Sequence, residues 1–316
     1  MVNAVVATSY EGPSAIAVID VESRPPEAGQ VVVAVRAAAL NPYDAKTTIG
    51  YAGTDPAKLP LRLGSEAAGV VTAVGEDAVG LEGDLLAVGD EVFGHPLSGA
   101  QASELTVNAA NLIRKPGNVS FAEAAGLLVV GSTAVHGLET VRVTAGDVLL
   151  IHGVSGGVGR MAAQLALLRG ARVIGTASEK RHADLVKLGV EPVVYGDGLL
   201  ERVAALAPGG VDAAFDTIGS DEALTVSLKV LSDPARLVTI VNYAAVIAAG
   251  GQGIGGGPGA DPGREVRAAA RLTLAGLLAD GAIDVEIARS YPLAEARAAY
   301  EYLVTGHAGG KVILEP

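Results

Sequence analysis

Residues 148–159 read VLLIHGVSGGVG, an apolar run that ends in a turn holding four glycines. The apolar run predicts a buried strand. Behind the turn, apolar side chains recur at helical spacing, at Val158, Met161, Ala162, Leu165 and Leu168. A second apolar segment, ARVIGTAS at residues 171–178, follows that helix. The order of strand, glycine turn, helix and strand predicts a βαβ unit of roughly 30 residues.

The glycine turn has the chemistry of a phosphate site. A helix N-terminus presents unpaired N–H groups and the positive end of its dipole, and both stabilise an anion. Glycines let the backbone turn tightly and come close to a pyrophosphate, although Val154 stands where a strict G-x-G-x-x-G motif has its first glycine. A tight turn without a ligand is the alternative. The residues predicted to bind a dinucleotide here are Gly153, Ser155, Gly156, Gly157, Val158 and Gly159.

The rest of the chain divides into two patterns. Residues 2–116 offer short β-branched runs separated by Gly, Pro and Asp, which predicts an irregular β-rich domain. Beyond them, apolar strands alternate with helical stretches, which predicts an α/β domain, a parallel sheet with helices on both faces. Its predicted strands lie within 148–153, 171–178, 191–196, 212–219 and 235–243. An amphipathic helix in 291–306 and a closing strand, GKVILEP, complete the chain, and that strand is expected to pair back into the first domain.

Composition excludes several classes of protein. The 316 residues exceed a typical single domain, so two domains are expected. The net charge of -12 and the lack of a basic run argue against nucleic-acid binding. The absence of cysteine excludes disulfides, thiolate nucleophiles and Cys-ligated zinc. The N-terminus has no basic stretch followed by an apolar region, and no segment approaches roughly 20 uninterrupted apolar residues. We therefore expect a cytoplasmic protein with no membrane partner.

One segment is compositionally unusual. Residues 250–259, GGQGIGGGPG, contain seven glycines and a proline. Because glycine loses much backbone entropy on ordering, this segment is expected to form no regular element. A flexible surface loop and a mobile lid beside the active site are the two interpretations.

The end of the second predicted strand indicates which dinucleotide binds. An NAD site usually has an acidic residue there for the ribose 2'-hydroxyl, and that carboxylate would repel a 2'-phosphate. Here Ser178 can donate to a 2'-phosphate, and Lys180 or Arg181 can neutralise it. Glu179 is the competing residue, and a serine N-cap with two solvated cations is the alternative without a ligand. The pattern favours NADPH.

Taken in order, the motifs resemble one family. They are ALNPYDAK (39–46), LGSEAAGVV (63–71), VGDEVFG (88–94), AAGLLVVGSTAVHGL (124–138), HGVSGGVGRMAAQLA (152–166) and the closing GHAGGKVIL. The chain resembles the medium-chain dehydrogenase/reductases, in their zinc-independent quinone oxidoreductase branch, which includes zeta-crystallin. The resemblance implies a GroES-like domain, residues 1–117 completed by 284–316, and a Rossmann domain, residues 118–283. It also implies a homodimer joined through edge strands of the nucleotide domains, with 235–243 or a nearby segment as a candidate edge.

The resemblance also implies chemistry without a metal. Zinc-dependent relatives hold their metal with Cys, His and Cys at positions that read Asn41, Ser65 and Val129 here. The histidines, at 95, 136, 152, 182 and 307, show no paired ligand spacing. Hydride transfer then needs an acceptor that is already electrophilic, so the expected substrate is a small quinone or enone. Alternatives are an enoyl-thioester reductase and a non-catalytic NADPH-binding sensor or scaffold.

The resemblance carries over specific roles. Because a turn follows the predicted strand in ALNPYDAK, the residues expected at the rim of the cleft are Asn41, Tyr43, Asp44 and Lys46. Asn41 would contact cofactor or substrate, while Tyr43 could donate a proton; some relatives have a tyrosine where Lys46 stands, and solvent could supply the proton instead. Thr133 would place a hydroxyl beside the nicotinamide ring, with a helix cap or i−4 bond as its alternative. Further predicted cofactor contacts are Tyr195, Ile218, Asn242 and Lys311, the last with a surface lysine as its alternative.

Overall fold

The computed structural model describes residues 1–51, 53–306 and 308–316. They divide into two compact units, a first unit of residues 1–129 with 272–316 and a second unit of residues 130–271. These divisions fall inside two helices, Phe121–Thr140 and Arg264–Ala279, whereas the boundaries predicted at 117/118 and 283/284 lie outside them. The predicted domain boundaries at 117/118 and 283/284 therefore stay a proposal.

The first unit is built mainly of antiparallel strands. They are β1 (Val2–Ala7), β2 (Ile16–Val21), β3 (Gln30–Leu40), β4 (Leu61–Arg62), β5 (Ala67–Val74), β6 (Glu91–Gly94), β7 (Glu104–Asn108) and β8 (Leu112–Arg114). A short helix, α1 (Pro42–Thr47), follows β3, and α2 (Phe121–Thr140) begins in this unit. A three-stranded sheet has the order β2-β1-β4.

The C-terminal segment returns to the first unit as predicted. It contains β15 (Ile287–Pro292), α9 (Ala296–Val304) and β16 (Lys311–Glu315). Val312 pairs with Leu40 in an antiparallel ladder between β16 and β3. A seven-stranded sheet therefore runs β15-β16-β3-β5-β6-β8, with β7 also paired to β3. This register carries Lys311 to the end of β3, next to Asn41.

The second unit is a parallel α/β sheet. Its strands are β9 (Val148–His152), β10 (Arg172–Thr176), β11 (Glu191–Val193), β12 (Ala213–Asp216), β13 (Leu237–Thr239) and β14 (Gln252–Gly253). Its helices are α3 (Gly157–Leu168), α4 (His182–Lys187), α5 (Leu199–Leu206), α6 (Asp221–Val230), α7 (Tyr243–Ala248) and α8 (Arg264–Ala279), which continues into the first unit. The strand order β11-β10-β9-β12-β13-β14 is that of the Rossmann fold, so the predicted fold class is confirmed.

Three expectations need correction. The Gly-rich segment does contain a regular element, because β14 pairs in parallel with β13 and Ile254 is fully buried. Since β14 covers β13, the segment 235–243 is not a sheet edge. Leu168 is exposed rather than part of the apolar stripe of α3, because it lies in the last turn of that helix.

Helix α2 is long and apolar enough to span a membrane, judged by its length and composition alone. No such segment was expected from the sequence. Of its most apolar window, 72% is buried inside the protein. Burial of that extent is typical of a core helix. No other helix in the described part of the chain passes that test.

Candidate functional site

The glycine turn between β9 and α3 has the geometry that the sequence predicted. Gly153 has φ +79°, and a Cβ there would lie 2.5 Å from Ile218 Cδ1. Gly156 forms the N-cap of α3 in extended conformation. At Gly159, a Cβ would lie 2.3 Å from the carbonyl oxygen of Gly153, so helix and strand can approach this closely only with glycine. The turn is built for close backbone approach.

The first turn of α3 presents backbone N–H groups that lie ahead of the helical hydrogen-bond ladder. The backbone N–H of Arg160 donates to Gly156 O at 2.8 Å, which is the first bond of the helical ladder. The N–H groups of Gly157, Val158 and Gly159 precede that bond, and such groups have no partner within their own helix. The helix is 12 residues long, so its dipole adds to the attraction for a phosphate.

A buried network at the ends of β12 and β13 organises the neighbouring loops. Asp216 Oδ1 accepts the N–H groups of Ile218 and Gly219 at 3.0 and 2.8 Å. Asp216 Oδ2 accepts the hydroxyl of Thr239 at 2.9 Å. That hydroxyl oxygen accepts the Asn242 N–H at 3.1 Å. One carboxylate thus shapes both loops that carry the predicted cofactor contacts Ile218 and Asn242.

The Asp216–Thr239 network was not predicted from the sequence, and a buried histidine lies near it. The signal was present as an aspartate in an otherwise apolar strand, DAAFDTIG. His152 ends β9 and its Nε2 lies 3.0 Å from Ser227 Oγ. Burial lowers the pKa of His152 to about 4, while the nearby Asp216 opposes that shift. The imidazole is therefore neutral at physiological pH.

The ends of β10 and β11 carry the residues predicted to select the dinucleotide. Thr176 pairs with Val193, and Ser178 and Tyr195 each follow that pair by two residues. Ser178 precedes a 3-10 turn, Glu179–Arg181, in which Glu179 and Lys180 are exposed and Arg181 is half-buried. Tyr195 is 52% exposed. The serine, the cations and the tyrosine therefore occupy one carboxyl-end corner of the sheet.

In the first unit, four polar side chains form a buried cluster at the start of α1. Lys311 Nζ donates to Glu66 Oε1 at 2.6 Å and to Asn41 Oδ1 at 2.7 Å. Asn41 Nδ2 donates to the same Glu66 oxygen at 3.0 Å. The other Glu66 oxygen accepts the Val129 N–H at 2.9 Å. Lys311 is thus a buried partner of Glu66 rather than a surface lysine, and its predicted contact with the cofactor stays a prediction.

Asp44 completes this cluster. Its Oδ2 accepts the backbone N–H of Asn41 at 2.8 Å, and both Asp44 and Asn41 are buried rather than at the rim as expected. The reason is that α1 turns this position toward the protein interior, where Tyr300 is fully buried. Burial, with a smaller contribution from the Glu66 charge, raises the pKa of Asp44 to about 7 although Lys311 opposes the shift.

Tyr43 and Lys46 lie on the outer side of α1. Tyr43 is 51% exposed, and its ring meets the ring of Tyr51 edge-on at 6.1 Å. Lys46 Nζ lies 5.5 Å from the centroid of the Tyr51 ring. Tyr43 is exposed and Lys46 is half-buried, and the role of either side chain as proton donor stays a prediction.

Thr133, on α2, is held by residues that the sequence argument did not single out. Its Oγ1 accepts a hydrogen bond from Arg267 NH1 at 2.9 Å. Arg267 Nε donates to His136 Nδ1 at 3.2 Å, and His136 Nε2 lies 3.2 Å from Asp261 Oδ2. These residues belong to the second unit.

Comparison with known proteins identifies the family. Residues 27–136 match the alcohol dehydrogenase GroES-like domain, and residues 188–314 match the zinc-binding dehydrogenase family. A 2-methylene-furan-3-one reductase from Solanum lycopersicum is 30% identical over 306 residues, which cover 91% of this chain and 72% of that protein. A quinone oxidoreductase from Coxiella burnetii is 30% identical, with a TM-score of 0.82 over 100% of this chain and 99% of that one. The chain is a medium-chain dehydrogenase/reductase of the quinone oxidoreductase branch.

Further similar proteins extend the comparison. A mycobacterial protein solved as a complex with NADPH shares 27% identity and a TM-score of 0.85, with both chains covered completely. The enoyl reductase CurK shares 25% identity and a TM-score of 0.85, with 99% of each chain covered. The spectinabilin polyketide synthase protein NorB of Streptomyces orinoci is 35% identical over 90% of this chain. This dehydrogenase/reductase spans 6% to 13% of the length of the polyketide synthases that it matches.

Within the described residues of this dehydrogenase/reductase, no three His, Cys, Asp or Glu side chains come together as a metal-ligand group. His136 and His152 are buried, and His95 and His182 are half-buried. His95 Nδ1 lies 3.0 Å from the Ser65 carbonyl oxygen, and His182 Nε2 lies 3.4 Å from that of Ala177. His307 lies outside the described residues.

Proposed function

We propose that this protein is an NADPH-dependent reductase that transfers hydride to a small quinone or to an activated C=C bond of an enone, without a metal. The observation that carries the proposal is the glycine turn at the N-terminus of α3, where a Cβ at Gly159 would collide with Gly153 O. Such a turn needs glycine for close approach, and helix amides favour a diphosphate. The Coxiella burnetii quinone oxidoreductase supports the choice of reaction.

The choice of NADPH over NADH rests on charge at the end of β10. A 2'-phosphate carries negative charge, which the exposed ammonium of Lys180 and the guanidinium of Arg181 would stabilise. Glu179 is exposed as well, but two cations beside one carboxylate leave a net positive charge there. Tyr195 would flank the adenosine. The mycobacterial structure with NADPH supports this choice.

The residues at the three positions of the zinc ligands do not suit zinc. Zinc in proteins is bound by Cys sulfur, His nitrogen or carboxylate oxygen. Val129 offers no side-chain donor, and the amide of Asn41 is engaged by Glu66 and Lys311. Lys311 already supplies the positive charge next to Glu66 at 2.6 Å. We therefore propose a reaction in which the acceptor needs no Lewis acid.

When bound, the nicotinamide supplies the hydride. This chain's own residues would hold the ligand and deliver polarity: the amides of α3 to the diphosphate, and the Thr133 hydroxyl beside the ring. Asn41 would contact cofactor or substrate. After hydride transfer the acceptor oxygen needs a proton, and Tyr43, Lys46 or solvent would supply it. Lys311 would act through Asn41.

The test is a set of binding and turnover measurements with the purified chain. We expect calorimetry to show tighter binding of NADPH than of NADH, and we expect loss of NADPH absorbance with quinones or enones in the presence of a metal chelator. Binding of NADPH without oxidation by any acceptor would favour the sensor or scaffold. No binding of either nucleotide would overturn the proposal.

Matched variants test the cofactor choice. The double variant Lys180→Ala/Arg181→Ala removes the proposed 2'-phosphate contacts, and we expect NADPH affinity to fall by roughly 10- to 100-fold while NADH affinity changes little. Lys187→Ala is the control. This lysine also follows β10, but it is the last residue of α4 and its ammonium lies 3.8 Å from Asp184. An equal loss for both nucleotides would contradict the assignment.

An enoyl-thioester reductase is the second candidate. The likeness to the enoyl reductase CurK and to a segment of polyketide synthases favours it. It would show as faster NADPH oxidation with enoyl thioesters than with quinones. A homodimer is also proposed, and β14 rather than β13 would supply its sheet edge; the solution mass would test it.

A further inference from the structure

Arg267 lies at the meeting point of three segments of the second unit. It stands in the first turn of α8, and its guanidinium contacts α2 through Thr133 and His136. Its NH2 lies 3.7 Å from where a Cβ on Gly255 would be, in the Gly-rich segment. The chain therefore brings one cation to a helix hydroxyl, a buried imidazole and a glycine loop.

The polarity of this contact is fixed by chemistry. A guanidinium has five N–H donors and no acceptor, so Thr133 Oγ1 accepts from Arg267 and keeps its own hydrogen for another acceptor. Without the arginine, the hydroxyl could rotate and act as acceptor or donor. Arg267 thus prepares Thr133 to donate a hydrogen bond, for example to a carbonyl oxygen.

The imidazole of His136 holds the arginine in place. Because Arg267 Nε donates to His136 Nδ1, that nitrogen carries a lone pair and the proton of the neutral ring is on Nε2. The Nε2–H then donates to Asp261 Oδ2 at 3.2 Å. Burial and the neighbouring Arg267 cation lower the pKa of His136, which keeps the ring neutral.

Asp261 closes the Gly-rich segment into a loop. Its backbone N–H donates to Gly253 O at 2.9 Å, and its carbonyl accepts the Gly255 N–H at 2.8 Å. A Cβ on Gly257 would lie 2.1 Å from the ring of Tyr243, the residue after the predicted cofactor contact Asn242. The segment is therefore a loop that packs on an aromatic ring. Asp261, where the two ends of the loop meet, bonds the imidazole of His136.

We infer that Arg267 is a positioning residue of the proposed reductase, which acts by orienting the Thr133 hydroxyl as a hydrogen-bond donor to an acceptor oxygen of the bound nicotinamide or its substrate. This inference rests on the proposed function. His136 and Asp261 secure Arg267 and connect it to the Gly-rich loop. The role of Arg267 is indirect, since its own contacts are with protein groups.

A double-mutant cycle in the full chain tests this role. Thr133→Val removes the hydroxyl and Arg267→Met removes its donor while keeping a long apolar stem. We expect each single variant to lower kcat/KM by roughly tenfold, and the double variant to lose no more than the larger single loss. The loss should lie mainly in kcat rather than in KM for the acceptor. Additive losses, or an Arg267→Met variant with wild-type kcat/KM, would overturn the inference.

Control variants separate positioning from folding. Arg271→Met removes an arginine one turn further along α8, whose Nε bonds the Ala268 carbonyl, and should leave kcat/KM unchanged. Thr133→Ser keeps the hydroxyl and should recover most of the activity. Arg267→Lys keeps the charge but lacks the planar fork that bonds Thr133 and His136 at once, so it should not recover the activity. If Arg267→Met does not fold, Arg267→Lys is the test. A reduced kcat at an unchanged melting temperature would support the positioning role of the guanidinium, and a wild-type kcat would overturn that role.

The same experiment distinguishes the two proposals. Wild-type protein that binds no NADPH overturns both the proposed function and the role of Arg267. Wild-type protein that binds and oxidises NADPH, together with independent effects of Thr133 and Arg267, leaves the reductase standing and overturns the positioning role alone.

Discussion

The two units each bury a polar network beneath residues predicted to serve the site, and the networks differ in kind. In the first unit an ion pair, Lys311 with Glu66, has side chains that are only 4% and 1% exposed. In the second unit the carboxylate of Asp216 is surrounded by N–H and hydroxyl donors of its own loops. The ion pair joins two charged residues that lie 245 positions apart, whereas the Asp216 carboxylate is held by neutral donors, two of which are backbone N–H groups of its own loop.

The two networks should therefore respond differently to the loss of one side chain. Removing one partner of a buried ion pair leaves a charge that neither water nor protein compensates. Removing a carboxylate that accepts N–H groups leaves neutral donors, which cost less to bury unpaired. The first network should therefore be the more sensitive to single substitutions.

The largest effect is expected for Lys311→Met, which leaves Glu66 buried without its cation. We expect the free energy of unfolding to fall by about 3–5 kcal/mol, measured by urea denaturation. The double variant Lys311→Met/Glu66→Gln removes both charges and should recover a large part of that loss. A single-variant loss below about 1 kcal/mol would show that the pair is hydrated rather than buried.

A smaller effect is expected for Asp216→Ala in the second unit. It deprives the Ile218 and Gly219 amides and the Thr239 hydroxyl of their acceptor, which should cost about 1–3 kcal/mol. Hydrogen exchange at those amides should speed up. Asp221→Ala, at an exposed position in the first turn of α6, is the control and should change little. A loss as large as that of Lys311→Met would erase the distinction between the networks.

Asp44 in the first unit and His152 in the second should make the stability of the fold depend on pH in opposite directions. The pKa of Asp44 rises from 3.8 to about 7, so the folded protein retains a proton that the unfolded chain has lost, and this contribution to stability declines as pH rises from about 4 to about 7. The pKa of His152 falls from 6.5 to about 4, so its contribution declines as pH falls from 6.5 to about 4.

Melting temperatures across pH would measure these contributions. Asp44→Asn should remove the decline toward neutral pH, and His152→Gln should remove the decline toward acid. The stability difference between Asp44→Asn and wild type should therefore grow as pH rises. A difference that is constant with pH would show that Asp44 keeps its ordinary pKa in the fold.

The smallest effect on stability is expected at the glycine turn, where no charge is involved. A Cβ on Gly156 would lie 3.4 Å from Gly153 O, an ordinary contact, so Gly156→Ala should change the free energy of unfolding by no more than about 0.5 kcal/mol. Gly159→Ala, with its 2.3 Å approach, is the destabilising counterpart. Calorimetry should nevertheless show weaker NADPH binding by Gly156→Ala, because the added methyl group would lie at the N-cap of α3, where the diphosphate is proposed to bind. Unchanged affinity would contradict that placement.

Much of the fold could be predicted from the sequence. The strand, glycine turn and helix at 148–168, the alternation of strands and helices and the closing strand are all expressed in local apolar spacing. The predicted set of strands missed β14, because two residues in a glycine-rich segment carry no periodic pattern. Their pairing with β13 is decided by the neighbouring strand.

The candidate site was predicted less completely. The predicted residues of the glycine turn are contiguous, so they could be found together. The partners of Asn41 and Thr133 could not, because Lys311 lies 270 residues from Asn41 and Arg267 lies 134 residues from Thr133. Asp44 was expected at a rim, because a turn was predicted to follow the β-branched run there, whereas the packing of α1 buries it.

The fold class, the place of the glycine turn and the lack of cysteine ligands follow from the order and spacing of residues along the chain. Which charges are buried together, and which partner each hydroxyl bonds, depends on the folded arrangement. Electrostatic pairing acts through space over a few ångströms, and residues that meet at that distance here come from opposite ends of the chain.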